Sequence, residues 1–89
     1  MNAAEFRASL EADGYTVSEV AWGAGVVNDT HTHAFDAKLM CIEGSVAISC
    51  GDEERACSTG DWMTMSAGVP HKEVVGPEGV KLLVGRKQA

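Results

Sequence analysis

Residues 25–44 read GVVNDTHTHAFDAKLMCIEG, and the fold turns on how this stretch is framed. His31 and His33 lie two apart, and on an extended strand residues i and i+2 point to the same face. Two imidazoles on one strand face can grip a single metal ion. The third and last histidine, His71, stands in a second framed stretch, GDWMTMSAGVPHKEVV, residues 60–75. A closed β-structure can bring it opposite the pair. Neutral imidazole suits Zn, Fe, Cu and Ni, whereas Mg and Ca prefer oxygen. Three protein ligands leave coordination positions open for water or substrate, as in catalytic rather than closed structural sites.

Outward from the histidines, the chain reads as short strands punctuated by glycine. Val17, Glu19, Ala21 and Ser18, Val20, Trp22 alternate as two strand faces, and further runs span 38–43, 45–50, 55–58, 61–65, 71–75 and 80–84. Gly51-Asp52 is a hairpin turn candidate, and Pro77-Glu78-Gly79 reads as another turn. Many short strands with closely spaced turn signals indicate an all-β sandwich or barrel. Residues 3–12, AAEFRASLEA, are the exception. They are good helix formers with an apolar side from Ala4, Phe6 or Ala8, and Leu10, and Asp13-Gly14 ends them. The expected organisation is one domain, with an N-terminal helix and lead-in at 1–14 and a barrel at 15–89. The last three residues are expected to fray.

Bulk properties narrow the partners. The chain of 89 residues carries 13 acids against 7 bases, a net charge of −6, which argues against nucleic acid, since phosphate contacts need clustered Lys and Arg. No run approaches the roughly 20 apolar residues of a membrane span. The first residues lack the basic-then-apolar order of a secretory signal, so cytoplasmic residence is the expectation. Cys41, Cys50 and Cys57 are odd in number and lack CxxC spacing, which reads as reduced thiols acting as small core residues. Cys50 and Cys57 would face each other if the Gly51-Asp52 turn set their register.

At this point the chain resembles the cupin family. The first cupin motif is G-x5-H-x-H-x3-4-E-x6-G; here Gly25, His31, His33 and Gly44 match it, while Ala37 stands at the glutamate position. The second is G-x5-P-x-G-x2-H-x3-N; Gly60, Gly68 and His71 match it, while Ser66 and Val75 replace the proline and asparagine. The 15 residues from Ser45 to Thr59 correspond to the short spacer of minimal cupins. The resemblance implies a single small jelly-roll β-barrel, frequent homodimerisation, and one divalent transition metal (Fe, Mn, Ni, Zn or Cu) on His31, His33 and His71. It does not imply one reaction, because this fold hosts many.

The missing glutamate directs attention to Glu73, two residues after His71 and so on the same strand face. It is the candidate fourth metal ligand, or the general base; the alternative is that it simply hydrogen-bonds or forms an ion pair with Lys38 or Lys72. Phe35, two residues past His33, is expected to line the same pocket. Strand parity sends Asp36 outward, and Glu43 reads as solvated. Arg86 would bind a substrate carboxylate only if it reached the barrel mouth. Three function classes fit these residues: a metal-dependent oxygenase, isomerase or lyase on a small molecule; a module that binds or senses a metal or small ligand; and a metal-free barrel. Whether the site is catalytic is left open.

Overall fold

Two long strands organise the computed structural model, which describes residues 1–89. They are β3 (Phe35–Cys50) and β6 (His71–Gln88), and they pair antiparallel over most of their length. The other elements are α1 (Ala3–Ala12), β1 (Thr16–Trp22), β2 (Val27–His31), β4 (Glu53–Ser58) and β5 (Trp62–Met65). Each attaches to one half of the long pair. β1 pairs with residues 80–86 of β6 and β5 with residues 37–40 of β3. β2 pairs with the 71–74 half of β6 and β4 with the 45–50 half of β3. The result is an all-antiparallel arrangement whose two halves share one interior. Leu39 and Val84 from one half and Val46, Ile48 and Val75 from the other belong to a single buried cluster.

The sequence reading breaks this long pair into four shorter strands, with a turn at Pro77-Glu78-Gly79. The structure instead bends both strands without ending them. The register shifts between Cys41 and Glu43 and again between Gly44 and Val46, leaving residues 76–79 of β6 opposite Ser45. Such irregularities bend a ladder and increase its twist. Gly44 sits at φ +74°, and a Cβ there would collide with the carbonyl of Gly79. The bend therefore depends on glycine at its tightest approach. Lys87 and Gln88, expected to fray, pair with Asp36 and Phe35. Cys50 pairs with Glu53 and Cys57 with Val46, so the two thiols do not face each other, and all three cysteines are free.

The helix falls where the sequence places it. Asn2 accepts from the Glu5 amide at 2.8 Å while the Glu5 carboxylate accepts from the Asn2 amide at 3.1 Å, a capping box that satisfies two otherwise orphaned donors. Phe6 and Leu10, one turn apart, bury against Met40 and Leu83 on the outer face of the sheet, while Ala4 and Ala8 stay exposed. Trp62, which is 53% exposed, leans on Phe6 at a ring separation of 6.1 Å. Met63 and Met65 on the same strand point inward into the core.

Candidate metal centre

The register of β2 on β6 builds the centre. His31 stands opposite His71 and Asn28 opposite Glu73. Three residue steps on β2 therefore match two on β6, and this irregularity turns both Asn28 and His31 toward the interior despite their odd spacing. His33 follows the end of β2 rather than continuing it, in the short link before β3. Its carbonyl accepts from the Gly68 amide at 2.8 Å, which ties this link to the loop preceding His71. Pairwise ring-centroid separations among His31, His33 and His71 run from 4.3 to 4.9 Å.

Hydrogen bonds fix which nitrogen His31 and His71 present. His71 Nδ1 lies 3.0 Å from the Val69 carbonyl and His31 Nδ1 lies 2.6 Å from the Asp29 carbonyl. A carbonyl can only accept, so each Nδ1 is the donor, and in the neutral ring Nε2 is the nitrogen whose lone pair is free to bind. This backbone anchoring of the remote nitrogen is how metal-binding histidines are usually oriented. Candidate ligand nitrogens of the three residues lie within 4.8 Å of one another. Zinc–imidazole bonds of about 2.0–2.1 Å hold nitrogens within about 4.2 Å of each other, so small side-chain adjustments of the half-buried His31 and His33 suffice. His33 stacks on Phe35 at 4.6 Å, and its pKa is lowered, first by desolvation and then by the neighbouring His71 and His31. The donor set is thus three imidazoles, which fits a divalent transition metal.

Glu73 is only 6% exposed. Its Oε1 accepts from Asn28 Nδ2 at 3.3 Å and stands 3.7 Å from His31 Nε2. Neither Lys38 nor Lys72 approaches it as an ion-pair partner. Phe35 lines a cavity of about 510 Å³ together with the three histidines and Glu73. The motif-glutamate position, Ala37, contributes only a methyl group to the wall. Asp36 points away and accepts from the Ala67 amide at 2.8 Å, and Glu43 is exposed beside Lys81. Asn28 and Trp22 are functional-wall residues that the sequence reading missed. Trp22 was legible as the inward end of an alternating strand, whereas Asn28 depends on the β2 irregularity, which leaves no sequence signal.

A jelly-roll of this topology with imidazoles converging on its cavity is the cupin fold. Solved structures agree. A cupin superfamily protein from Desulfitobacterium hafniense DCB-2 superposes with a TM-score of 0.75 at 16% identity, covering 84% of this chain and 68% of that one. A protein of unknown function from Rhizobium leguminosarum bv. viciae 3841 gives 0.80 at 19% identity, over 86% and 73%. KdgF from Halomonas sp. gives 0.71 at 19% identity, over 84% and 70%. At these identities the likeness establishes the fold. No protein-family model and no curated protein matches the chain by sequence. No helix is long and apolar enough to cross a membrane.

Proposed function

We propose that this protein holds one divalent transition metal on His31, His33 and His71, with Glu73 as the acid–base group or fourth ligand, and acts on a small molecule in the cavity. The observation that carries this reading is the pair of Nδ1–H···O=C bonds that turn the Nε2 lone pairs of His31 and His71 free of the backbone. A divalent ion here would supply Lewis-acid polarisation, or redox chemistry if it were iron or copper.

Glu73 holds a proton-accepting oxygen, Oε1, beside the histidines, and Asn28 fixes its orientation. The same carboxylate compensates for the absence of one at Ala37, from the opposite strand. Phe35, Val84 and Leu82 give the cavity an apolar wall that limits water around the reacting group. Cytoplasmic residence belongs to the same proposal, supported by three unpaired thiols.

The test is elemental analysis of untagged protein, alongside a His71→Ala variant. Close to one equivalent of Fe, Mn, Ni, Cu or Zn in the wild type, absent from the variant, is the expected result. A wild type that neither carries metal nor takes it up on reconstitution would sink the proposal.

A further inference from the structure

The cavity wall carries one group that the metal reading does not use. Arg86 lies on β6 with its side chain in the wall of the same cavity as the histidines. The one Lys or Arg ion pair of the structure joins Lys81 to Glu43, and no carboxylate stands within ion-pair distance of Arg86. Its Nη1 donates to Ser18 Oγ at 2.7 Å, and its guanidinium carbon stands 5.6 Å from the centre of the Phe35 ring. A hydroxyl and an aromatic face hold the group in place without neutralising its charge. Of the five N–H donors of a guanidinium, this leaves most of the planar fork unspent.

We infer that Arg86 anchors the carboxylate of a small substrate or ligand whose remaining oxygen function reaches toward the histidines; the inference rests on the metal reading above. Charge supports it. Arg86 is the only Lys or Arg in the cavity wall, where the acids are Asp29 and Glu73. A divalent ion on the histidines makes that wall net positive, in a chain whose overall charge is −6. The attraction for an anion is therefore local to this pocket and opposite in sign to the chain as a whole. Size supports it too, since about 510 Å³ is within the usual range for a small-molecule site. Val20, Trp22, Leu82 and Val84 line the cavity with apolar surface, which favours a short uncharged body over a second anionic group. The class is a monocarboxylate bearing a nearby hydroxyl or oxo oxygen.

The experiment loads the full chain with Co(II) and follows the visible absorption of the bound ion while lactate, 2-hydroxybutyrate or mandelate is added, each compared with its primary amide. In the wild type at least one acid should bind tenfold or more tightly than its amide. Arg86→Gln should weaken that acid by about tenfold to a hundredfold, the loss expected for charge-assisted hydrogen bonds. It should leave the amide, the cobalt content and the ligand-free spectrum unchanged. Arg86→Lys should fall between the two, because a point charge replaces a fork. Acid and amide binding alike, no acid binding at all, or wild-type acid affinity in Arg86→Gln would each overturn the inference while leaving the metal reading intact. If Arg86→Gln does not fold, Ser18→Ala carries the test, with a smaller loss for the acid expected and an unchanged affinity overturning it. Failure of the wild type to take up cobalt overturns the metal reading and this inference together.

Discussion

One barrel interior holds two regions of opposite chemistry. Around Cys41, Val46, Ile48 and Cys57 the interior is closed and apolar. Around His31, His33, His71 and Glu73 it opens into a cavity. Both regions contain groups that bind transition metals in other settings, so residue type alone does not separate them. Their surroundings do. The Cys41 thiol donates to the carbonyls of Glu43 and Gly44 at 3.4 and 3.3 Å, and Cys57 donates to that of Asp61 at 3.6 Å. Burial pushes both thiols above the usual cysteine range, which keeps them protonated and poor ligands. His31 and His71 instead direct an Nδ1 proton at a backbone oxygen and turn Nε2 away from the backbone. A thiol that keeps its proton packs, whereas an imidazole nitrogen left open can bind.

The largest effect should come from breaking the closed region. Ile48 is 1% exposed, and Ile48→Ala should cost about 2–5 kcal/mol, the transfer loss plus the cavity left behind. His33→Ala in the metal-free protein should change stability by no more than about 1 kcal/mol, since the ring borders open space. Urea unfolding of both variants, metal-free, measures the contrast. Comparable losses would mean that the histidine region also supports the fold, and the division drawn here would fail.

Next in size is Glu73→Gln. If Asn28 and Glu73 hold the metal surroundings, metal affinity should fall about 10- to 100-fold, as for other residues that support a metal site. Cys57→Ala should leave the affinity unchanged, because that thiol belongs to the packing region. Competition with a chelating dye reads both values. Equal affinity in Glu73→Gln and wild type would reduce Glu73 to a buried partner of Asn28.

The same division explains what the sequence disclosed. His31, His33 and His71 were legible because glycine framing is a local signal, and the structure brings all three rings together although His33 lies past the end of β2 rather than on the strand face that parity assumed. Glu73 was legible from strand parity, being two residues from His71 on an unbroken strand. The helix boundaries followed from propensity and from the Asp13-Gly14 stop. The long-strand architecture was not legible, because glycines at 44, 76 and 79 carry the same turn signal whether a strand ends or bends. Deciding between the two needs the partner strand: Gly44 and Gly79 approach each other across β3 and β6, a relation between distant positions. Asn28 was hidden likewise, since an extra residue in β2 reverses the parity on which its placement depends. Strand periodicity reads faces well and fails at each irregularity.

The smallest expected effect concerns acid, and it sharpens the contrast from the open side. Desolvation, then the proximity of His71 and His31, lowers the pKa of His33 below its ordinary value; Glu73 opposes this and Arg86 adds to it. In the unfolded chain His33 binds its proton near pH 6.5, whereas in the folded chain it does so only at lower pH. Between those two values the unfolded state holds more protons, so stability falls as pH drops through about 6.5 and levels off once the folded ring is also protonated. The closed region contributes nothing to this slope, because its raised thiols titrate far above that window. Urea midpoints of metal-free protein at pH 7.5, 6.5 and 5.5 should therefore decline, and His33→Gln should flatten the decline while Cys57→Ala leaves it in place. A slope that survives in His33→Gln would assign the acid sensitivity to another group and remove His33 from this account. Metal added at the same three pH values should steepen the dependence, since three imidazoles must give up protons before they coordinate.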